Sequence, residues 1–114
     1  VHLAGALFQK AAGIELVFRQ TNREGELVDW IHEAGSAKAG VLLNAGAYTH
    51  TSIALHDAIR ATGVVVIEVH LSNVFAREAF RHHSYISPVA KGVICGFGAA
   101  SYDLAFDALL PHLA

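Results

Sequence analysis

Residues 64–73 read VVVIEVHLSN, an apolar β-branched run that ends in Glu68, His70, Ser72 and Asn73. Every second residue of an extended chain shares a face, so Glu68, His70 and Ser72 line up. An unpaired carboxylate on a buried strand is costly, and Glu68 therefore calls for a partner. His70, two residues on, is the obvious one. Such a pair can satisfy itself inside a core. It can equally stand at the edge of a site, where the carboxylate favours a protonated imidazole and equips it as a general acid. The residue types alone leave both readings open.

Two further stretches gather polar side chains: residues 44–52, NAGAYTHTS, and residues 79–88, AFRHHSYISP. Each candidate also has a plain structural reading. Asn44 suits a turn or cap, His50 a solvated loop, and Asp57, next to His56, the outer face of a helix. Arg81 could hold an anionic substrate, but no glycine cradle for phosphate accompanies it. His82 and His83 are adjacent, so their side chains diverge, and no second ligand pair has metal spacing. The expectation is no metal. GxGxxG, Walker and GxSxG motifs are absent, and no cofactor is expected. Gly96 and Gly98 read as a strand-to-helix turn.

The elements that must position these residues follow from periodicity. Residues 40–44 and 64–69 are strongly strand-like, with residues 14–19 and 92–97 as further strands. All are apolar and branched, as in parallel strands covered on both faces. Helical spacing links Leu3, Leu7 and Phe8, closed by Gly13. Thr21 and Glu24 have capping-box spacing ahead of Leu27, Val28 and Ile31. Ile53, Leu55, Ala58 and Ile59 form a helix ended by Gly63. Asn73 is expected to cap a short helix carrying Phe75 and Phe80. The last helix is expected to hold Leu104, Phe106, Leu109, Leu110 and Leu113, with Pro111 near its end because its missing N–H would break an interior turn. Alternation of this kind predicts an α/β fold, a mostly parallel sheet with helices on both faces. Ligands of such sheets bind beyond the carboxyl ends of the strands, which is where the polar stretches fall.

Length and composition bound the rest. The 114 residues suit one domain, and 54% hydrophobic with 16% charged residues places the chain among globular proteins. A formal charge of −2 with scattered arginines gives no field for nucleic acid. Cys95 is the single cysteine, inside GVICGF, so an internal disulfide is impossible and a reducing, cytoplasmic setting is expected. Neither a bilayer-spanning apolar run nor a secretory leader pattern is present.

The segments FRQTNREGELVDWIHEA, VLLNAGAYTHTSIALHDAI and VVIEVHLSNVFAREAFRHHSYISPVAKGVICGFGA together closely resemble type II 3-dehydroquinate dehydratase (type II dehydroquinase), in order and over essentially the whole chain. The resemblance implies a flavodoxin-like three-layer sheet of order 2-1-3-4-5, in trimers assembled into a dodecamer. It implies dehydration of 3-dehydroquinate to 3-dehydroshikimate in the shikimate pathway, with neither metal nor Schiff base. A tyrosinate removes a proton alpha to the ketone to give an enolate, and a histidine protonates the departing hydroxyl. Carried over position by position, His70 is that acid and Glu68 orients it. Asn44 holds the water that stabilises the enolate. His50, Leu71, Ser72 and Arg81 bind the substrate's hydroxyls and carboxylate, and Asp57 reaches a neighbouring subunit's site.

One part of the family pattern has no match. The family opens with a strand, NGPNLNLLG and a flexible loop bearing an essential Arg and the Tyr base, whereas this chain opens at what resembles the family's first helix. Tyr48, Tyr85 and Tyr102 match other positions. The chain also contains no Met. Residues 1–114 are therefore expected to be one N-terminally incomplete dehydroquinase domain, whose residues 14–19 would lack their only sheet neighbour. The competing expectation is a non-catalytic flavodoxin-like relative or binding module that lacks the base.

Overall fold

The computed structural model describes residues 14–113. The expected helix around Leu3, Leu7 and Phe8 lies outside them. Among the described residues, three parallel strands form one sheet: β1 (Val41–Leu43), β2 (Val66–His70) and β3 (Gly92–Cys95), in the order β1-β2-β3. Val41 pairs with Val66 and Leu43 with Glu68, while Glu68 meets Val93 and His70 meets Cys95 on the other side. The middle strand is thus the one that carries the Glu–His pair.

Helices cover both faces. Helices α1 (Glu24–Ser36) and α2 (Ile53–Thr62) close one core with Leu27, Ile31, Leu43, Leu55, Ile59, Val66 and Ile86. Helix α3 (Ala100–Leu109) closes the other with Leu42, Ile67, Val69, Tyr102 and Phe106. Alternation along β2 decides the split: Val66 turns to α1 and α2, and Ile67 and Val69 turn to α3. The three-layer α/β/α architecture expected from the sequence is what forms.

Helix α2 shows how locally the sequence sets its elements. Ser52 is its N-cap, buried, and its hydroxyl accepts the Leu55 N–H at 3.0 Å. Gly63 ends it in the left-handed region at φ 67°, where a Cβ would be strained. Ser52→Ala is expected to lower stability by about 1 kcal/mol through loss of the cap, read as a shift in the urea unfolding midpoint.

Four expectations change. Residues 14–19 form no strand, because a strand exists through its ladder and no partner strand stands beside them among the described residues. Ile14 and Leu16 instead pack on the α3-side core, and Arg19 is bound to Glu33 with its guanidinium 5.5 Å from the Trp30 ring centre. The capping box does not form: Thr21 Oγ1 accepts from the Arg23 N–H at 3.1 Å, a local turn that delays α1 until Glu24. Asn73 caps only a three-residue 3-10 turn (Val74–Ala76), and Phe80 belongs to a separate 3-10 turn (Ala79–His82). The last helix ends early: α3 stops at Leu109, and Leu110 and Leu113, expected within it, lie in and after a 3-10 turn (Leu110–His112), where Pro111 stands near the helix end as expected and its missing N–H costs nothing.

Candidate active site

Glu68 and His70 lie on the α1/α2 face at the carboxyl end of β2, 2% and 6% exposed. His70 Nε2 stands 2.5 Å from Glu68 Oε2. The carboxylate has two more donors, both from the segment that follows the 3-10 turn at Ala79–His82. Ser87 Oγ donates to Oε1 at 2.6 Å, and Ser84 Oγ lies 3.1 Å from each oxygen. Burial pushes the Glu68 carboxyl up, but the bonds from His70 and Ser87, the imidazole's charge and the Ser84 bond together hold it below the usual carboxylate range. Glu68 is therefore an anion at neutral pH. With Nε2 engaged, Nδ1 is the His70 nitrogen left to face a ligand.

His50, in the 3-10 turn Gly46–His50, lies beside this pair. Its ring stacks on that of His70 at 6.4 Å with a 15° tilt. Its Nδ1 donates to the His83 carbonyl at 2.7 Å, which assigns the hydrogen to Nδ1 because a carbonyl only accepts. The same segment takes the Tyr85 N–H to the Thr49 carbonyl at 2.8 Å and the His56 Nδ1–H to the Tyr85 carbonyl at 2.7 Å. Two of the expected site residues, Glu68 and His70, are thus directly bonded, and His50 is stacked on them.

The remaining candidates lie around the same strand ends with other engagements. Asn44 follows β1; its Nδ2 donates to the Tyr102 hydroxyl at 2.9 Å on α3, and its Oδ1 accepts the Gly46 N–H at 3.1 Å. Leu71 and Ser72 are exposed just past β2, where the Leu71 carbonyl accepts the Gly98 N–H at 2.9 Å. The short helix expected after Asn73 is only the 3-10 turn at Val74–Ala76, too short for an aligned dipole that would favour an anion. Arg81 Nε is 2.9 Å from Glu78 Oε1, and its guanidinium lies 5.1 Å from the Phe80 ring centre. Asp57 is exposed on α2.

The tyrosines have other work. Tyr48 donates its hydroxyl to the Asn22 carbonyl at 2.7 Å, and Tyr85 meets the His83 ring edge-on at 4.8 Å. Tyr102 is buried; burial pushes its phenol up, against a smaller downward pull from Asn44, so it stays protonated near neutral pH. His82 and His83 diverge as expected, the former toward the Arg77 carbonyl and the latter toward Tyr85. Among the described residues no group of three or more His, Cys, Asp or Glu could hold a metal ion, and no helix is long and apolar enough to cross a membrane.

The family model for dehydroquinase class II matches residues 4–110. The chain belongs to the class II dehydroquinase family. It is 70% identical over 97 residues to a 3-dehydroquinate dehydratase of Azorhizobium caulinodans, covering 85% of this chain and 65% of that protein. A 3-dehydroquinate dehydratase of Rhizobium johnstonii is 64% identical over 97 residues, covering 85% and 67%. The crystal structure of type II dehydroquinase from Butyrivibrio crossotus superposes with a TM-score of 0.81 at 43% identity, covering 84% of this chain and 68% of that one. The chain thus spans about two thirds of the length of these three relatives. Within this dehydroquinase frame, sequence reasoning missed Ser84 and Ser87. The only signal available was two serines three residues apart, flanking an apolar Ile86.

Proposed function

We propose that the protein dehydrates 3-dehydroquinate to 3-dehydroshikimate, as a hydro-lyase of the shikimate pathway, by anti elimination through an enolate. The observation that carries this reading is the buried Glu68–His70 pair at the carboxyl end of the middle strand. The names of relatives up to 70% identical support it. A base removes the proton alpha to the ketone, and the electron pair becomes the enolate. The enolate re-forms the ketone as the carbon–oxygen bond beyond the double bond breaks. His70 Nδ1 gives its proton to the leaving hydroxyl, so water departs and a conjugated enone remains. Hydroxide is a poor leaving group, and an imidazolium is a competent acid for it near neutral pH.

Glu68 orients the ring through its bond to Nε2. His50, Leu71, Ser72 and Arg81 bind the substrate's hydroxyls and carboxylate; Arg81 suits this because its planar fork matches a carboxylate, and it would exchange Glu78 for substrate. Asn44 holds the water at the enolate oxygen, and Asp57 reaches the site of a neighbouring subunit. The assembly is a homo-oligomer of trimers forming a dodecamer, in the cytoplasm, with no metal or organic cofactor. The base is a tyrosinate on a loop that residues 14–113 do not form.

One observation favours a second reading, a non-catalytic relative: the three tyrosines present are engaged with Asn22, His83 and Asn44. Incubating the full-length protein with 3-dehydroquinate separates the two. The expected result is growth of enone absorbance with water lost from the substrate. A flat trace from folded protein would leave the non-catalytic reading.

A further inference from the structure

We propose that Ser84 and Ser87 are positioning residues for the proposed dehydration, holding the Glu68 carboxylate in the single orientation that aims His70 at the substrate. The inference rests on that functional reading for its kinetic consequence, and on hydrogen accounting for its geometry. Ser84 Oγ accepts the Ile86 and Ser87 N–H groups, each at 3.0 Å. A hydroxyl has two lone pairs and one hydrogen. Both lone pairs are taken, so the hydrogen of Ser84 is committed to Glu68, whose two oxygens it meets equally at 3.1 Å. Ser87 Oγ, at 2.6 Å, selects Oε1. Oε2 is left for His70 Nε2. Rotating the carboxyl group would break three bonds at once, and protonating it would set a fourth hydrogen among three donors.

The serines are themselves fixed. Ile86, between them, is fully buried in the α1/α2-side core, and Pro88 follows. The same short segment offers the His83 carbonyl to His50 and the Tyr85 carbonyl to His56. Residues 83–87 therefore act as one strap that sets two stacked imidazoles, His50 directly and His70 through Glu68. Two titratable groups adjoin His70: His50, stacked on its ring, and Cys95 on β3, in register with it.

Ser87 gives the cleaner test, because among the described residues its Oγ bonds only Glu68, while its N–H, which shapes the turn, survives substitution. In the full-length protein, Ser87→Ala is expected to lower kcat about tenfold, the usual scale for an outer partner that orients an imidazole, with KM within about twofold. The Glu68 carboxyl carbon, followed by 13C NMR against pH, should titrate at higher pH. Ser87→Thr keeps the hydroxyl and should restore both. A merely structural serine would lower the unfolding midpoint and leave the kcat-to-KM split and the Glu68 titration where they are in the parent; that result, or a failure of Ser87→Thr to rescue, overturns the proposal. If the parent shows no turnover, the functional reading fails alone, and an unmoved Glu68 titration in Ser87→Ala still overturns the positioning.

Discussion

Replacing His70 with glutamine is expected to slow dehydration of 3-dehydroquinate by about 10²–10⁴-fold in kcat, the range that a positioned general acid contributes, with KM changed only a few-fold. Glutamine is the informative substitution because its amide N–H can still donate to Glu68 Oε2, which His70 Nε2 meets at 2.5 Å. The buried carboxylate then keeps a partner, and the protein stays folded. What glutamine cannot do is deliver a proton. An interaction that matters only as the hydroxyl leaves should lower kcat and kcat/KM together. Steady-state kinetics with a thermal melt of the variant checks this, and unchanged kcat would remove His70 from the acid role.

The largest stability effect is expected from Glu68. In Glu68→Leu, the Ser84, Ser87 and His70 donors lose their shared acceptor in a site where Glu68 is only 2% exposed. Each unsatisfied buried donor costs about 1–3 kcal/mol and such terms overlap, so a loss of about 2–5 kcal/mol at neutral pH is expected, read from urea unfolding. The pH dependence has a fixed sign. The folded-state carboxyl is held below its usual range, with burial opposing and the His70, Ser87 and Ser84 contacts prevailing. Its stabilisation is therefore complete above the unfolded value of about 4.3 and disappears as pH falls through the lower folded value. The parent should lose stability across that acidic window, and Glu68→Leu should show a flatter profile there. Parallel profiles would mean that Glu68 is not ionised by its surroundings.

Local chemistry was the legible part of this fold. The apolar β-branched runs gave β1 and β2, and the spacing of Leu55, Ala58 and Ile59 with Gly63 behind them gave α2, because each signal is complete within a few residues. Residues 14–19 show the opposite case: their composition suits a strand, but a strand also needs a neighbour, which local pattern does not supply. Thr21 failed as a capping-box residue because its hydroxyl bonds the nearer Arg23 N–H. At the site, Glu68 and His70 announce each other through two-residue spacing. Ser84 and Ser87 do not, since they reach Glu68 across 16 and 19 residues through a loop without periodicity. Asn44 meets Tyr102 across 58 residues, a contact that only the stacking of α3 on the sheet creates.

The most direct test of the central claim, that His70 protonates the leaving group, uses an analogue of 3-dehydroquinate with chlorine in place of the departing hydroxyl. Chloride leaves without a proton. His70→Gln in the full-length protein should lose turnover of the hydroxyl substrate by at least about 10²-fold while eliminating chloride from the analogue at nearly the parent's rate. Equal losses on both substrates would contradict the assignment, because the damage would then precede departure of the leaving group.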